Sequence, residues 1–402
     1  MGNIMENDLT KRFNCIPKYQ GGKCQDTFDC NNGCYMLRIT DTTKQEYDNY
    51  VEALQKEGFS LYDHHVIKDN YFATYLNDIL KVQLNYTFQD SSTRIIADSN
   101  ITLYKREQDV IYHKTCDTTL YQLELDYRNI DCGMCYITQC ADESFFIIDS
   151  AHMDSINDHK RIFDFLCKLT PEGQKVIISG WFFSHAHQDH IVKFMDFLTA
   201  GFENYEIECL YYNFPALTVS GSEKWSESDK QTMKEFDELI EAHKEIPVVK
   251  LHTGQRFFIR NLELEVLATH EDIYPGNLSC FNDSSTILQM TVDGCKIMFL
   301  GDSNFTECNI INSRYGDYLK SDIVQVAHHG YNKNNVDVYH YINAKVALYP
   351  TRQNRYEDSQ FSASNQLVTK LSHEIYIAGN GTTALKLPYR DNTAVTFQKE
   401  IF

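Results

Sequence analysis

The sequence predicts an α/β protein in which two β-sheets are covered by helices, preceded by a small α+β domain. Three observations carry this. The chain has 402 residues, long enough for two domains at roughly 100–200 residues each. Up to about residue 110, short strand patterns separated by turns surround a single helical segment. From about Leu120 onward, apolar strand patterns alternate with helical ones, which a layered α/β architecture requires. The domains are accordingly drawn as residues 1–112 and 113–402. A composition of 43 % hydrophobic and 23 % charged residues supplies a core and excludes disordered and fibrous classes.

In the first domain, Cys34–Ile39 reads as a strand. Lys44–Glu57 is a helix with Tyr47, Tyr50, Val51 and Leu54 on one face, and Phe59–Val66 is a strand. Asp69-Asn70 turns the chain into Tyr71–Tyr75, and Ile79–Tyr86 and Arg94–Ile96 complete a small antiparallel sheet. His64 and His65 are neighbours on a strand and point to opposite faces, which disfavours a shared metal. The polar stretch Glu107–Thr119 is read as the linker.

In the second domain, Tyr136–Thr138 and Phe145–Asp149 form an opening hairpin, followed by a helix over Lys160–Leu169. The very apolar strand Lys175–Ser184 ends in a histidine cluster. A helix (His190–Leu198), a strand (Ile207–Tyr212) and a charged helix (Ser226–His243) follow. Strands are expected at Phe257–Ile259, Leu262–Leu267, Ser285–Val292 and Lys296–Leu300. Strand and helix then alternate through Asp322–Ala327, Val336–Ile342, Ala344–Tyr349, Ser362–Leu371 and Glu374–Ala378.

Charge narrows the partners. With 37 Lys+Arg against 56 Asp+Glu, the net charge of −19 repels phosphate backbones and disfavours nucleic acid. No segment approaches the roughly 20 continuous apolar residues of a membrane span, so no membrane is expected. Met1–Thr10 lacks the basic-then-apolar pattern of a secretory signal, which makes the cytoplasm the expected location. Thirteen scattered cysteines fit reduced thiols better than disulfides. Cys132-Gly-Met-Cys135 has zinc-knuckle spacing without a second pair, and is read as a strand with buried thiols.

The chemistry is concentrated in Ser184-His185-Ala186-His187-Gln188-Asp189-His190, where four potential ligands fall within six residues at a strand's C-terminal end. Imidazole and carboxylate suit zinc, iron or manganese, and such a loop can keep a coordination position open. His252, His270 and His373 are read as hydrogen-bonded or surface histidines unless one faces the metals.

The HxHxDH pattern resembles that of the metallo-β-lactamase fold superfamily, and other parts of its signature occur in order. Phe145–Asp149 resembles its first motif, whose aspartate supports the metal loop, although Ser150-Ala151-His152 replaces the usual glycines, leaving His152 to substitute a hydrogen bond or enter the site. Lys296–Asp302 resembles the fourth motif and Asp322–Gly330 the fifth. The resemblance spans about Leu120 to Tyr389 and implies an αββα four-layer sandwich. It also implies that His185 and His187 hold a first metal, Asp189 and His190 a second, and Asp302 both. The last ligand is His328 or His329; the following glycine leans to His329. The third-motif histidine is not evident. The stretch Asn282–Leu288 is similar to that of the branch containing competence proteins and phosphorylcholine esterases, which leaves Asp283, Asn282, His270 or water to complete the first metal.

What the resemblance implies is a metal-dependent hydrolase with two zinc ions, manganese or iron(II) being the alternatives, that activates hydroxide and acts on a phosphodiester or other ester-like small molecule. Asp189 would orient the nucleophile as well as ligate. The spare histidine of the His328-His329 pair, Tyr331 and Asn332 are candidates for leaving-group contact. Two other readings compete: a competence-type nuclease, and a non-catalytic metal-binding protein acting through its N-terminal domain. Specificity is expected in loops over the site, with Asn213–Trp225 and His270–Asp283 as candidate lids.

Overall fold

The computed structural model describes residues 14–397 apart from Cys24, Asn129 and residues 332–334. The N-terminal segment Met1–Thr10 and Asn332 therefore lie outside the described residues. In the N-terminal part, antiparallel strands form one sheet in the spatial order Gln25–Asp29, Cys34–Thr40, Ser92–Asp98, Lys81–Thr87, Asn70–Leu76, Ser60–Ile67. The first of these has no counterpart in the sequence reading: its half-exposed edge sequence Gln-Asp-Thr-Phe-Asp carries almost no apolar signal. The helix Lys44–Lys56 starts at a capping box, in which Thr43 Oγ1 accepts Glu46 N and the Glu46 carboxylate accepts Thr43 N. It packs Tyr47, Tyr50 and Leu54 against Ile39, Tyr75, Val82 and Leu84. The opposite face of the sheet, with Lys81, Gln83, Arg94 and Asp98, is also buried, because it is covered by the rest of the chain.

The remainder is built on two mixed sheets. One runs Val248–Lys250, Leu210–Tyr212, Val176–Phe182, Phe145–Ile148, Tyr136–Gln139, Thr119–Gln122, Thr383–Lys386, Val395–Thr396, parallel in its first half and antiparallel in its second. The other runs Arg256–Ile259, Leu262–Ala268, Ile287–Val292, Cys295–Phe299, Ile323–Gln325, Val346–Tyr349, Glu374–Ile377, antiparallel and then parallel.

Side-chain alternation produces the layers, since successive residues of a strand point to opposite faces. Phe146, Ile148 and Phe182 meet Val266, Leu288, Ile297, Phe299 and Leu348 between the sheets. Phe145, Ile147, Trp181 and Phe183 point outward to Ile162, Leu166, Phe194, Phe197 and Phe236, which come from helices Asp158–Leu169, Gln188–Thr199 and Glu227–Ala242. Met298, Val324 and Ala347 point outward from the second sheet to Cys308, Ile311, Val338, Ile342 and Val368 on helices Phe305–Tyr315, Val336–Ile342 and Ala363–Leu371. The result is helix, sheet, sheet, helix.

Several local expectations are corrected. Cys132–Cys135 is a loop entering the strand Tyr136–Gln139, not part of a strand. The expected linker is docked along the sandwich, with Thr115 N and Cys116 N both donating to Ala141 O before the strand at Thr119 begins. Ile207–Tyr212 is two short strands, Tyr205–Ile207 and Leu210–Tyr212, both paired with Val176–Phe182. Helix Phe305–Tyr315 is an addition to the expected elements. Its buried face includes Glu307 and Arg314, which break the apolar stripe that marks a surface helix.

Candidate metal centre

The centre forms where the two sheets present strand ends side by side. Strand Val176–Phe182 runs out into Phe183-Ser184-His185, and helix Gln188–Thr199 begins after His187, so the HxHxDH segment bridges a strand end and a helix start. Asp149 holds it there. Its Oδ1 accepts Ser184 N at 2.7 Å, and its Oδ2 accepts Ser184 Oγ and His190 Nδ1, each at 2.7 Å. The backbone at Asp149 and Ala151 is left-handed, with φ of 55° and 84°. Glycine is at home in that region, whereas alanine is strained there. His152 turns aside, its Nδ1 accepting Asp154 N at 3.0 Å, and does not join the ligand groups.

From the second sheet, strand Cys295–Phe299 leads to Asp302. Gly301, at φ 57°, allows the close approach: a Cβ there would stand 3.1 Å from Ser184 Cβ. Gln325 locks the turn by accepting Leu300 N and Gly301 N, both at 2.8 Å, and donating to Gly301 O at 3.0 Å. After strand Ile323–Gln325, His328 and His329 both adopt left-handed backbone, each with φ 51°. Strain of this kind costs about 1–3 kcal/mol per residue and gathers where function fixes geometry.

Two groups of donors converge. His185, His187 and Asp302 make one, and Asp189, His190, Asp302 and His329 the other, so Asp302 belongs to both. His185 Nε2 stands 3.2 Å from His187 Nδ1. His329 Nε2 is 3.1 Å from Asp189 Oδ2 and 3.3 Å from Asp302 Oδ2, and His190 Nε2 is 3.5 Å from Asp302 Oδ2. Ligands at about 2.0–2.1 Å on a tetrahedral zinc lie about 3.3 Å from one another, so these spacings fit. The outer nitrogens are already oriented: His190 Nδ1 donates to Asp149, and His329 Nδ1 donates to Pro350 O at 2.9 Å, leaving each Nε2 to face the cation. His190 Nε2 and Asp302 Oδ1 are buried without any hydrogen-bond partner, as expected of atoms whose partner is a cation.

Electrostatics agree with a cation position. Burial alone would lower the pKa of His329, but Asp302 and Asp189 outweigh it and raise it to about 9. Burial would raise the carboxyls of Asp302 and Asp189, yet His329 and His190 hold both well below the usual range. His185, dominated by burial, is pushed down and stays neutral. Positive charge is thus favoured beside these carboxylates.

Of the remaining candidates, His328 stays outside both groups. Its Nε2 accepts Asn282 Nδ2 at 3.0 Å and is 4.0 Å from Asp302 Oδ2. Asp283 is used by the backbone, accepting Ser279 N at 2.6 Å, and His270 packs against Tyr274 away from the ligands. His252 is likewise elsewhere, beside Glu271. The candidate lids zip together: Trp225 Nε1 donates to Leu278 O, and the Trp225 ring meets Phe281, which in turn meets His187.

Two residues escape the sequence reading. The Cys132 thiol lies beside Asp189, and Arg355 stacks its guanidinium 3.9 Å from the ring centre of Tyr331, next to His328 and His329. The spacing of Cys132 with Cys135 does not point to Asp189, and a helix-borne arginine carries no spacing signal of its own.

An aspartate common to two donor groups, at facing strand ends of an αββα sandwich and in the sequence order of the resembled motifs, decides the fold. The chain has the metallo-β-lactamase fold. No family model matches the chain, and no curated protein matches it. Several solved structures are similar at low identity. The metallo-β-lactamase fold protein YhfI from Bacillus subtilis is 12 % identical over 65 % of this chain and 97 % of its own, with a TM-score of 0.40. CmlA, a diiron β-hydroxylase from Streptomyces venezuelae, is 12 % identical over 66 % of this chain and 45 % of its own, with a TM-score of 0.35. A mutant metallo-β-lactamase from Cronobacter sakazakii is 14 % identical over 65 % of this chain and 92 % of its own, with a TM-score of 0.32. Among the described residues, no helix is long and apolar enough to cross a membrane.

Proposed function

We propose that this protein is a metal-dependent hydrolase with a dinuclear zinc centre, acting on a small phosphodiester or another ester-like substrate. The observation that carries the reading is Asp302, buried, common to both donor groups and with one carboxylate oxygen unpartnered. His185 and His187 would hold one ion and Asp189, His190 and His329 the other, with Asp302 between them. Such a pair supplies an acidified water and polarises a phosphoryl or carbonyl oxygen. Manganese or iron(II) suits the same nitrogen and oxygen donors.

The chain's own groups do the rest. Asp189 orients the attacking water through the carboxylate that also faces His329. His328, outside the ligand groups and hydrogen-bonded to Asn282, exchanges a proton with the leaving group. Arg355, stacked on Tyr331, brings a positive charge towards the centre and favours an anionic substrate over a neutral one. The net charge of −19 favours a small anion over a nucleic-acid strand.

The metal-loaded protein, assayed with bis-p-nitrophenyl phosphate, lactones, thioesters and single-stranded DNA, is expected to turn over the phosphodiester and leave DNA intact. Asp302→Ala and His187→Ala should abolish turnover and reduce bound metal. Bound metal without turnover of any substrate would overturn the reading in favour of a non-catalytic binding protein.

A further inference from the structure

A second buried group of metal-type donors lies away from this centre, where the N-terminal sheet meets the sandwich. Cys34 and Asp98 are direct partners on adjacent strands, so their side chains share one face of the N-terminal sheet. His252 comes from the sandwich, just beyond strand Val248–Lys250. The donor atoms of Cys34, Asp98 and His252 all lie within 4.8 Å of one another, and none of the three residues is more than 1 % exposed. His252 Nε2 faces Asp98 Oδ2 at 3.9 Å. His252 Nε2 is fully buried without a hydrogen-bond partner.

The surroundings match a ligand sphere. His252 Nδ1 donates to both oxygens of Glu271, at 2.9 and 3.0 Å, the carboxylate–histidine arrangement that aims the other ring nitrogen at a metal. Asp98 Oδ1 is held by Asn100 N at 2.8 Å, so Oδ2 is directed inward. Lys81 Nζ forms an ion pair with that Oδ2 at 3.1 Å, and an ionised oxygen has lone pairs for both a lysine and a cation. Cys30, outside that group of three, stands beside it: the turn Asn31-Asn32-Gly33 returns the chain so that Cys30 N donates to Cys34 O at 2.9 Å, and its thiol adjoins that of Cys34.

The charges present can accommodate a divalent ion. Asp98 and Glu271 are offset by Lys81 and Lys250, whose Nζ donates to Cys30 O. A divalent cation is then neutralised by two thiolates with His252 neutral. Sulfur, nitrogen and oxygen donors closed to water, with a second thiol beside them to complete a tetrahedron, describe a structural zinc rather than a catalytic one.

We propose that Cys30, Cys34, Asp98 and His252 bind a structural zinc ion that clamps the N-terminal sheet to the sandwich.

The test is metal content and spectroscopy on the full-length protein. Wild type is expected to carry one metal equivalent more than Cys34→Ser. Cobalt-substituted wild type should show near-ultraviolet thiolate-to-cobalt charge transfer that Cys34→Ser loses and Cys132→Ser, beside the other centre, retains. Should Cys34→Ser fail to fold, wild type and Cys132→Ser decide the question by themselves: equal thiolate absorption in both supports the clamp. An unchanged metal count in folded Cys34→Ser, absence of thiolate absorption in wild type, or its loss in Cys132→Ser would each overturn the proposal. None of these readouts depends on hydrolysis, so the clamp and the hydrolase reading fail separately.

Discussion

Two buried donor clusters in one chain differ in what carries them. The dinuclear-type centre rests on loops at strand ends, with left-handed backbone at Asp149, His328 and His329 and with the side chain of His187 24 % exposed. The junction cluster pairs Cys34 and Asp98 across adjacent strands, brings His252 from just beyond a third, and is closed on every side, these three residues being essentially inaccessible. Loops at strand ends leave a face open for substrate and absorb strain. A donor set closed on every side leaves no open position and suits a static role. Similar donor chemistry thus serves opposite purposes according to the element beneath it.

Helix Phe305–Tyr315 connects the two regions. Near its start, Glu307 adjoins the Asp283 and Asn304 loop beside the centre. Near its end, Arg314 reaches the junction, bonding Asp272 Oδ1 at 2.5 Å and Asp90 Oδ2 at 3.0 Å. Removing one partner of a buried ion pair costs about 3–5 kcal/mol, because the other charge is left uncompensated. Arg314→Met is therefore expected to lower stability by that amount in urea unfolding while the Asp302 centre keeps its metal. Loss of that metal in the folded variant would break the distinction and make the two regions one cooperative unit.

The HxHxDH loop stands out in the sequence because its donor-type residues are neighbours in the chain and follow an apolar strand. Spacing does not separate the His328 and His329 alternatives. Only the consecutive left-handed residues direct His329 into the cluster and His328 out of it. The junction cluster is not legible at all: Cys30 and Cys34 lie more than 200 residues from His252, and only the docking of a sheet face covered on both sides joins them. The same double coverage hides charged groups in strand Lys81–Thr87 and in helix Phe305–Tyr315, where burial no longer tracks hydrophobicity.

Glu307 offers a pH test of that helix. Burial first, and Asp283 second, raise its carboxyl from 4.5 to about 8. A folded pKa above the unfolded one means that its contribution is present below about pH 4.5 and is lost as the pH rises towards 8. At about 1.4 kcal/mol for each pH unit separating the two titrations, the loss is on the order of 5 kcal/mol. Glu307→Gln keeps an oxygen to accept Asn304 N, so the variant should gain on wild type between pH 5 and pH 8 in thermal midpoint. A difference that stays flat with pH would show the carboxyl to be ionised in the fold, and the strain would then lie elsewhere in the helix.

The finest discrimination between the two clusters comes from Asp149, which touches only the loop-borne one. In Asp149→Asn the amide can still accept Ser184 N, but an NH2 group then confronts His190 Nδ1–H. The imidazole must move its proton to Nε2, the atom that faces Asp302. Substituting such an orienting carboxylate costs about 10–100-fold in metal affinity, or about 1.4–2.7 kcal/mol. Chelator competition should register this loss for the dinuclear-type centre, with the thiolate-bound equivalent untouched and the far-ultraviolet circular dichroism unchanged. Unaltered affinity would mean that His190 does not ligate through Nε2, and the second donor group would shrink to Asp189, Asp302 and His329.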